Sequence, residues 1–180
     1  SLINIKRDFT LNDLSHVIDF LGDSKKQEEI RKNIILQARH PMHVIAYARD
    51  KQGLKDLFQI ISDSCIKYIS GVPRVPKDEL QAYREHLLLG SACENGEVFE
   101  AAMTRGKSVT EEIMKFYDYI EVQPPANFSH LVAKGSLSSF DDVYKIIRDI
   151  VDMAKEINKL VVATSDCHYI EKEDKIFRDV

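Results

Sequence analysis

Four short strand-like runs, Met42–Ala48, His86–Ala92, Asp118–Gln123 and Leu160–Thr164, alternate with stretches of helical period, and this alternation restricts the fold more than any other feature of the chain. Between the first two runs, Leu54, Leu57, Phe58, Ile61, Cys65 and Ile69 recur at helical spacing over Gly53–Ile69. That spacing places Cys65 on an apolar stripe, as a small core residue. The prolines of Gly71–Pro76 exclude helix there, and Pro76 suits the first turn of a short helix over Asp78–Arg84. Helices over Glu97–Met103 and Val109–Tyr117 follow the second run, the latter with Ser108 as cap and Glu111 at N3. Pro124 and Pro125 stop the third run. A long helix over Ser139–Asn158 then carries Val143, Ile146, Ile147, Ile150, Val151 and Ile157 as its buried stripe. Strands alternating with helices imply an α/β fold with a parallel sheet and right-handed crossovers. Four strands are too few to close an eight-stranded barrel, so the sheet is either open or part of a barrel.

The last run, Leu160-Val161-Val162-Ala163-Thr164, suits a strand buried on both faces, and it breaks into Ser165-Asp166-Cys167-His168-Tyr169. A carboxylate and an imidazole two residues apart, just past a strand end, project from the rim where α/β folds place their chemistry. The plainer reading is a turn-capping Asp166 and a surface His168. Cys93 also follows its run directly, and the ends of distant parallel strands meet on one rim. Cys93, Asp166 and His168 therefore group as a zinc site, with oxygen-rich neighbours admitting manganese or iron. Bound metal would hold Cys93 as thiolate. His43 starts its run, which would put it on the opposite rim of a parallel sheet, but element ends read from sequence shift by ~2–4 residues, so geometry alone does not place it. Glu97 suits the first turn of its helix, where a carboxylate complements the dipole. Cys167, between Asp166 and His168, faces away from them on extended backbone and reads as core. His16, His40, His86 and His130 lack partners at ligand spacing and read as structural or exposed.

Composition narrows the classes. A chain of 180 residues makes one domain with a core of its own. No apolar stretch reaches the ~18 residues of a membrane span, and Ser1–Arg7 lack a secretory pattern. The net charge of −4 supplies no positive field for nucleic acid. Three cysteines without C-x-x-C spacing argue for a reducing compartment, the cytoplasm. No glycine-rich phosphate loop or nucleophile elbow is present. The first forty residues read as polar and helical, with Thr10 and Asp13 opening one helix, Gly22 ending it, and a charged helix over Ser24–Leu36.

Three stretches together carry a family likeness: His43-Val44-Ile45 with Gly53-Leu54-Lys55-Asp56-Leu57; Tyr83–Cys93 with Gly96-Glu97; and Phe116–Pro125 followed by Val162–Tyr169. They resemble the PHP (polymerase and histidinol phosphatase) domain of bacterial replicative DNA polymerase III alpha subunits, and the PolC class most. The resemblance covers about residues 42–180. It implies a distorted seven-stranded β/α barrel holding divalent metal, zinc or manganese with iron as a further choice, on its C-terminal rim. Position by position it makes His43, Cys93, Asp166 and His168 metal ligands.

The family's opening H-x-H is absent, so the resemblance implies a fragment lacking the first barrel strands, with residues 1–41 as a helical N-terminal segment whose origin it leaves open. Phe9–Asn12 with Phe20-Leu21-Gly22 is more similar to the family's segment after the D-x-H than to one preceding His43. The activity implied is that of a parent DNA-directed DNA polymerase, with this portion itself inactive. Its implied partners are the polymerase and exonuclease modules of the parent, and DNA and replisome proteins through it. The rival readings are a metal-dependent phosphoesterase and a metal-free interaction module.

Overall fold

The computed structural model describes residues 41–69 and 72–178, so the helices expected within residues 1–40, with His16 and His40, lie outside it. The chain divides into two compact units, one of residues 42–57 with 84–180 and another to which residues 58–83 belong. The first holds a four-stranded sheet of β1 (Ile45–Ala48), β2 (Leu87–Gly90), β3 (Tyr119–Val122) and β4 (Leu160–Ala163), in that order. Pairing is parallel for β2–β3 and β3–β4, as alternation implies, and antiparallel for β1–β2. Leu87, Leu89 and Ile120 of the two inner strands are fully buried, and each such side chain contributes about 1.5–3 kcal/mol.

The sheet is mainly parallel, as expected, and β1 is its one antiparallel strand among the described residues. The chain leaves β1 and returns to begin β2 at the same rim, and local bonds hold the two points together. Arg49 N–H donates to His86 O at 2.9 Å, the Arg49 guanidinium donates to Leu87 O at 2.8 Å, and His86 Nδ1 lies 2.9 Å from Asp50 Oδ2. Gly53 permits this closeness, because a Cβ there would meet His86 O at 2.2 Å. Periodicity reports a strand's faces but not its direction, so this reversal was hidden. His86, read as structural or exposed, has a structural partner in Asp50.

The pair has a pH signature. The hydrogen bond from Asp50 raises the His86 pKa above 6.5, and the Gly53 N–H, followed by His86, lowers that of Asp50 below 3.8. A raised histidine contributes stability that is full below pH 6.5 and lost as pH rises through its folded value. A lowered carboxylate contributes above pH 3.8 and loses its effect as pH falls. The contribution is thus greatest between pH 3.8 and 6.5. Urea midpoints measured across pH should fall less steeply above neutrality for Asp50→Asn than for the unaltered chain. Identical slopes would count against the pair.

β2 and β3 are further tied at this rim by Asp118. Its Oδ2 accepts from Leu89 N–H at 2.7 Å, and its own N–H donates to Leu89 O at 2.8 Å. Its Oδ1 sits 3.2 Å from Arg49 and 3.1 Å from Arg84.

Helices α3 (Glu97–Thr104), α4 (Lys107–Met114) and α6 (Phe140–Glu156) cover the sheet, α5 (Ser129–Ala133) being a short turn of helix after a 3-10 segment over Pro125–Phe128. α6 packs on β3, β4 and α3. Val143 and Ile150 of its expected stripe are buried, joined by Met153 and Ala154. Phe99 of α3 stacks on Phe128 with ring centres 4.6 Å apart. Ser139 caps α6, accepting from Asp141 N–H at 3.2 Å while Asp142 accepts from Ser139 N–H at 3.1 Å. Asn158 ends the segment at φ 57, the left-handed position usual after a helix.

Three expectations are corrected. α4 begins at Lys107, not Val109, and Ser108 does not cap it, because Gly106 at φ 78 already turns the chain into the helix. β4 is not buried on both faces: it is the last strand of the sheet among the described residues, and Leu160 is 65% exposed. In α1 (Lys51–Ile66), Leu54, Phe58, Ile61 and Cys65 are exposed, whereas Asp56, Ile60 and Asp63 are buried. Asp56 and Asp63 tolerate burial because each accepts a side-chain amide four residues earlier, Gln52 at 2.8 Å and Gln59 at 3.0 Å. In the other unit, α2 (Lys77–Ala82) starts after Pro76 as expected, and Tyr68 donates to Glu79 at 2.6 Å.

Candidate metal centre

The start of an antiparallel strand lies beside the ends of its parallel neighbours, and the reversal of β1 therefore moves His43 to the rim where Cys93 stands. His43 N–H donates to Asn95 O at 2.9 Å, and His43 pairs with Gly96 in an isolated parallel bridge. Gly96 leaves room for this turn, since a Cβ would fall 2.1 Å from Ser91 O and 2.9 Å from Cys93 O. As a result His43 Nδ1 faces Cys93 Sγ at 3.3 Å. Burial raises the pKa of the half-buried Cys93 thiol, and the neighbouring Glu94 charge adds to that. Without a cation at hand the group is a neutral thiol.

The chain leaves β2 and β4 by the same device. Ala92 at φ 59 and Asp166 at φ 55 are non-glycine residues in the left-handed region, one just before Cys93 and the other at the head of the D-x-H. Each such conformation costs about 1–2 kcal/mol for most side chains, less for aspartate. Local strain of this kind is retained where surrounding contacts impose it. The turn at Asp166 also breaks the extended alternation, so Cys167 is exposed, not core, with its Sγ 3.1 Å from Ser165 Oγ. His168 Nε2 lies 3.4 Å from Asp166 Oδ1, both side chains being nearly half exposed.

The four sequence-predicted residues thus form two close pairs, His43 with Cys93 and Asp166 with His168. Among the described residues no three of the histidine, cysteine, aspartate and glutamate side chains gather closely enough to hold a metal ion. The separations within each pair are nevertheless those of neighbouring ligands. A sulfur and a nitrogen on one tetrahedral zinc lie about 3.6 Å apart, and an oxygen and a nitrogen about 3.4 Å. The soft thiol and imidazole suit zinc, and the carboxylate–imidazole pair suits zinc or a harder divalent ion.

Between the pairs the rim carries polar groups that sequence reasoning missed. His130, expected to lack a partner, has Nε2 3.7 Å from Glu94 Oε1 and Nδ1 3.2 Å from Asn127 O. Asn127 Nδ2 donates to Ser165 O at 3.1 Å and to Gln123 Oε1 at 3.3 Å. Thr164 donates to Glu121 Oε1 at 2.7 Å. Their signal in the sequence was slight: a Pro-Pro stop followed by Asn127 and His130 one helical turn apart. Glu97 lies in the first turn of α3, as expected, and accepts from the Tyr117 hydroxyl at 3.2 Å. Burial raises the Tyr117 pKa far above the ordinary tyrosine value.

The class defined so far is an α/β domain whose mostly parallel sheet carries histidine, cysteine and aspartate side chains on the loops at one rim. The PHP domain profile matches residues 10–125, and this chain belongs to the PHP domain family. Among curated proteins it is similar to the PolC-type DNA polymerase III of Lactococcus lactis, 44% identical over 160 residues, which is 89% of this chain and 10% of that protein. It is 43% identical over 138 residues to that of Streptococcus pyogenes and 42% identical over 142 residues to that of Halalkalibacterium halodurans. The chain spans about a tenth of the length of these relatives. No helix among the described residues is long and apolar enough to cross a membrane.

Proposed function

We propose that the chain is a portion of the PHP domain of a PolC-type replicative DNA polymerase, with residues 42–180 as its C-terminal part and residues 1–41, of which the family match takes in 10–41, as the segment before it. In this reading the sheet is a portion of a distorted seven-stranded β/α barrel. His43 and Cys93 form one pair of ligands, and Asp166 and His168 another, for divalent metal, zinc or manganese, and iron would also be accepted. The observation that carries the reading is the approach of His43 to Cys93 at 3.3 Å, between residues fifty positions apart. The similarity to PolC-type polymerases over 89% of the chain supports the parent activity.

Bound metal would stabilise the folded rim by charge and coordination. This chain's residues would orient it: the Asn95 carbonyl fixes His43, and the turns at Ala92 and Asp166 aim Cys93 and the D-x-H. The role is structural, bracing the polymerase and exonuclease modules of a cytoplasmic parent that meets DNA and replisome proteins through its other parts. Nucleotidyl transfer there belongs to metal-binding carboxylates outside this domain. The test is metal content and template-directed DNA synthesis of the whole protein, with and without Asp166→Ala. The expected result is bound zinc or manganese that falls in the variant while synthesis persists. A protein free of metal at every stoichiometry would overturn the metal reading, and a variant that folds but no longer synthesises DNA would overturn the structural role.

A further inference from the structure

We propose that the exposed apolar face of α1 is the docking surface for residues 8–23 of the same chain, an acidic amphipathic segment outside the described residues. The proposal stands apart from the metal reading and uses none of its residues. Leu54, Phe58, Ile61 and Cys65 recur at i, i+4, i+7 and i+11 along this one continuous helix. All four are exposed, Phe58 to 63%, and Ile66 is exposed as well. An apolar stripe of that spacing ordinarily faces a core, and an apolar patch this continuous marks a contact surface. The helix cannot roll the stripe inward. Gly53 sits on its opposite side against His86 O, where a Cβ would meet the carbonyl at 2.2 Å, and Ile60 and Ser64 are buried already.

Charge selects the occupant. Lys51 and Lys55 are the exposed charges of α1, because its two carboxylates, Asp56 and Asp63, are buried. An apolar face with a basic flank fits an apolar segment with acidic flanks. Residues 8–23 have that character. They hold Asp8, Asp13, Asp19 and Asp23 with no lysine or arginine, and Leu11, Leu14, Ile18 and Leu21 recur at i, i+3, i+7 and i+10 in the helix expected there. The two stripes match in length, each running about 15–17 Å at 1.5 Å per residue. The other expected helix, over Ser24–Leu36, sets Lys25, Lys26, Arg31 and Lys32 against Glu28 and Glu29, and the same lysines of α1 repel its positive balance. Reach is sufficient: residues 24–40 bridge about 25 Å even as helix, and Lys51 follows Pro41 by ten positions.

A tether of this length supplies an effective concentration of about 1 mM, so a contact with an intrinsic Kd of about 0.1 mM leaves the face uncovered about a tenth of the time. Cys65 lies within the stripe and reports the cover directly.

The experiment is pulsed maleimide labelling of the full chain, with Cys65 read by peptide mass spectrometry against its own rate in the urea-unfolded protein. The expected result is labelling about 10-fold slower in the folded chain. Leu14→Ser with Ile18→Ser should return the rate to near the unfolded value, as should Asp13→Lys with Asp19→Lys. Adding Lys51→Glu with Lys55→Glu to the aspartate variant should restore the protection, which a chain that merely failed to fold would not do. Cys65 labelled as fast in the folded as in the unfolded chain overturns the proposal. So does protection that the serine variants leave intact, or that the exchanged charges do not restore. Protection that grows with protein concentration overturns it too, since a second copy would then be covering the face.

Discussion

Replacing Asp118 with alanine is expected to lower the unfolding free energy by about 3 kcal/mol, because it leaves a strand N–H and the half-buried Arg84 guanidinium without their carboxylate in one step. Asp118 is the carboxylate that accepts from Leu89 N–H at 2.7 Å and faces Arg49 and Arg84. Arg49 is 47% exposed and regains water, so its share of the loss is small. Arg84 is 23% exposed and lies over the Phe116 ring, 5.4 Å from its centre, so its charge would be left poorly solvated. Asp118→Asn keeps an acceptor for Leu89 and removes only the charge attraction, and should cost about 1 kcal/mol. For a chain of this size 3 kcal/mol corresponds to about 10 °C in Tm. Thermal unfolding followed by circular dichroism would decide it. Equal midpoints for the alanine and asparagine variants would mean that the bond from Leu89 N–H contributes nothing, and an asparagine midpoint equal to that of the unaltered protein would mean the same of the arginine pairs.

The second large effect is expected at Cys93. Cys93→Ser should weaken zinc binding by more than about 100-fold, since even residues that merely orient a ligand are worth 10–100-fold. His43→Ala should match it, because the two side chains meet at 3.3 Å. Cys167→Ser should leave affinity unchanged, since this exposed thiol has the Ser165 hydroxyl as its close partner. Affinity should also rise with pH, because burial holds the metal-free thiol protonated and the cation must displace that proton. Competition against a chromophoric chelator at two pH values reads all of this. A Cys167→Ser protein weakened as much as Cys93→Ser would reverse the assignment of the two thiols.

The positions of the strands were legible because each is a short apolar run closed by proline, glycine or a charged turn. The long helix α6 was legible too, since Val143 and Ile150 of its apolar stripe lie buried. The failures share a cause. Cys65 was placed inside because its helix has an apolar stripe, yet the buried side carries Asp56 and Asp63, whose glutamine partners make burial tolerable. The placement of His43 depended on strand direction, which side-chain periodicity does not encode. Glu94, Asn127 and His130 meet through folding of the segment after β3, and no local pattern in the sequence marks them.

By itself, the order of residues determined the alternation of strands and helices and the loops on which Cys93, Asp166 and His168 sit. These depend on interactions among neighbours a few positions apart. The tertiary structure alone decided that β1 runs against the other strands, that His43 thereby reaches Cys93, and that Asn127 reaches the D-x-H loop. Those outcomes depend on which distant backbone groups find each other, as His86 finds Asp50 at 2.9 Å and Gly53 leaves room for the approach.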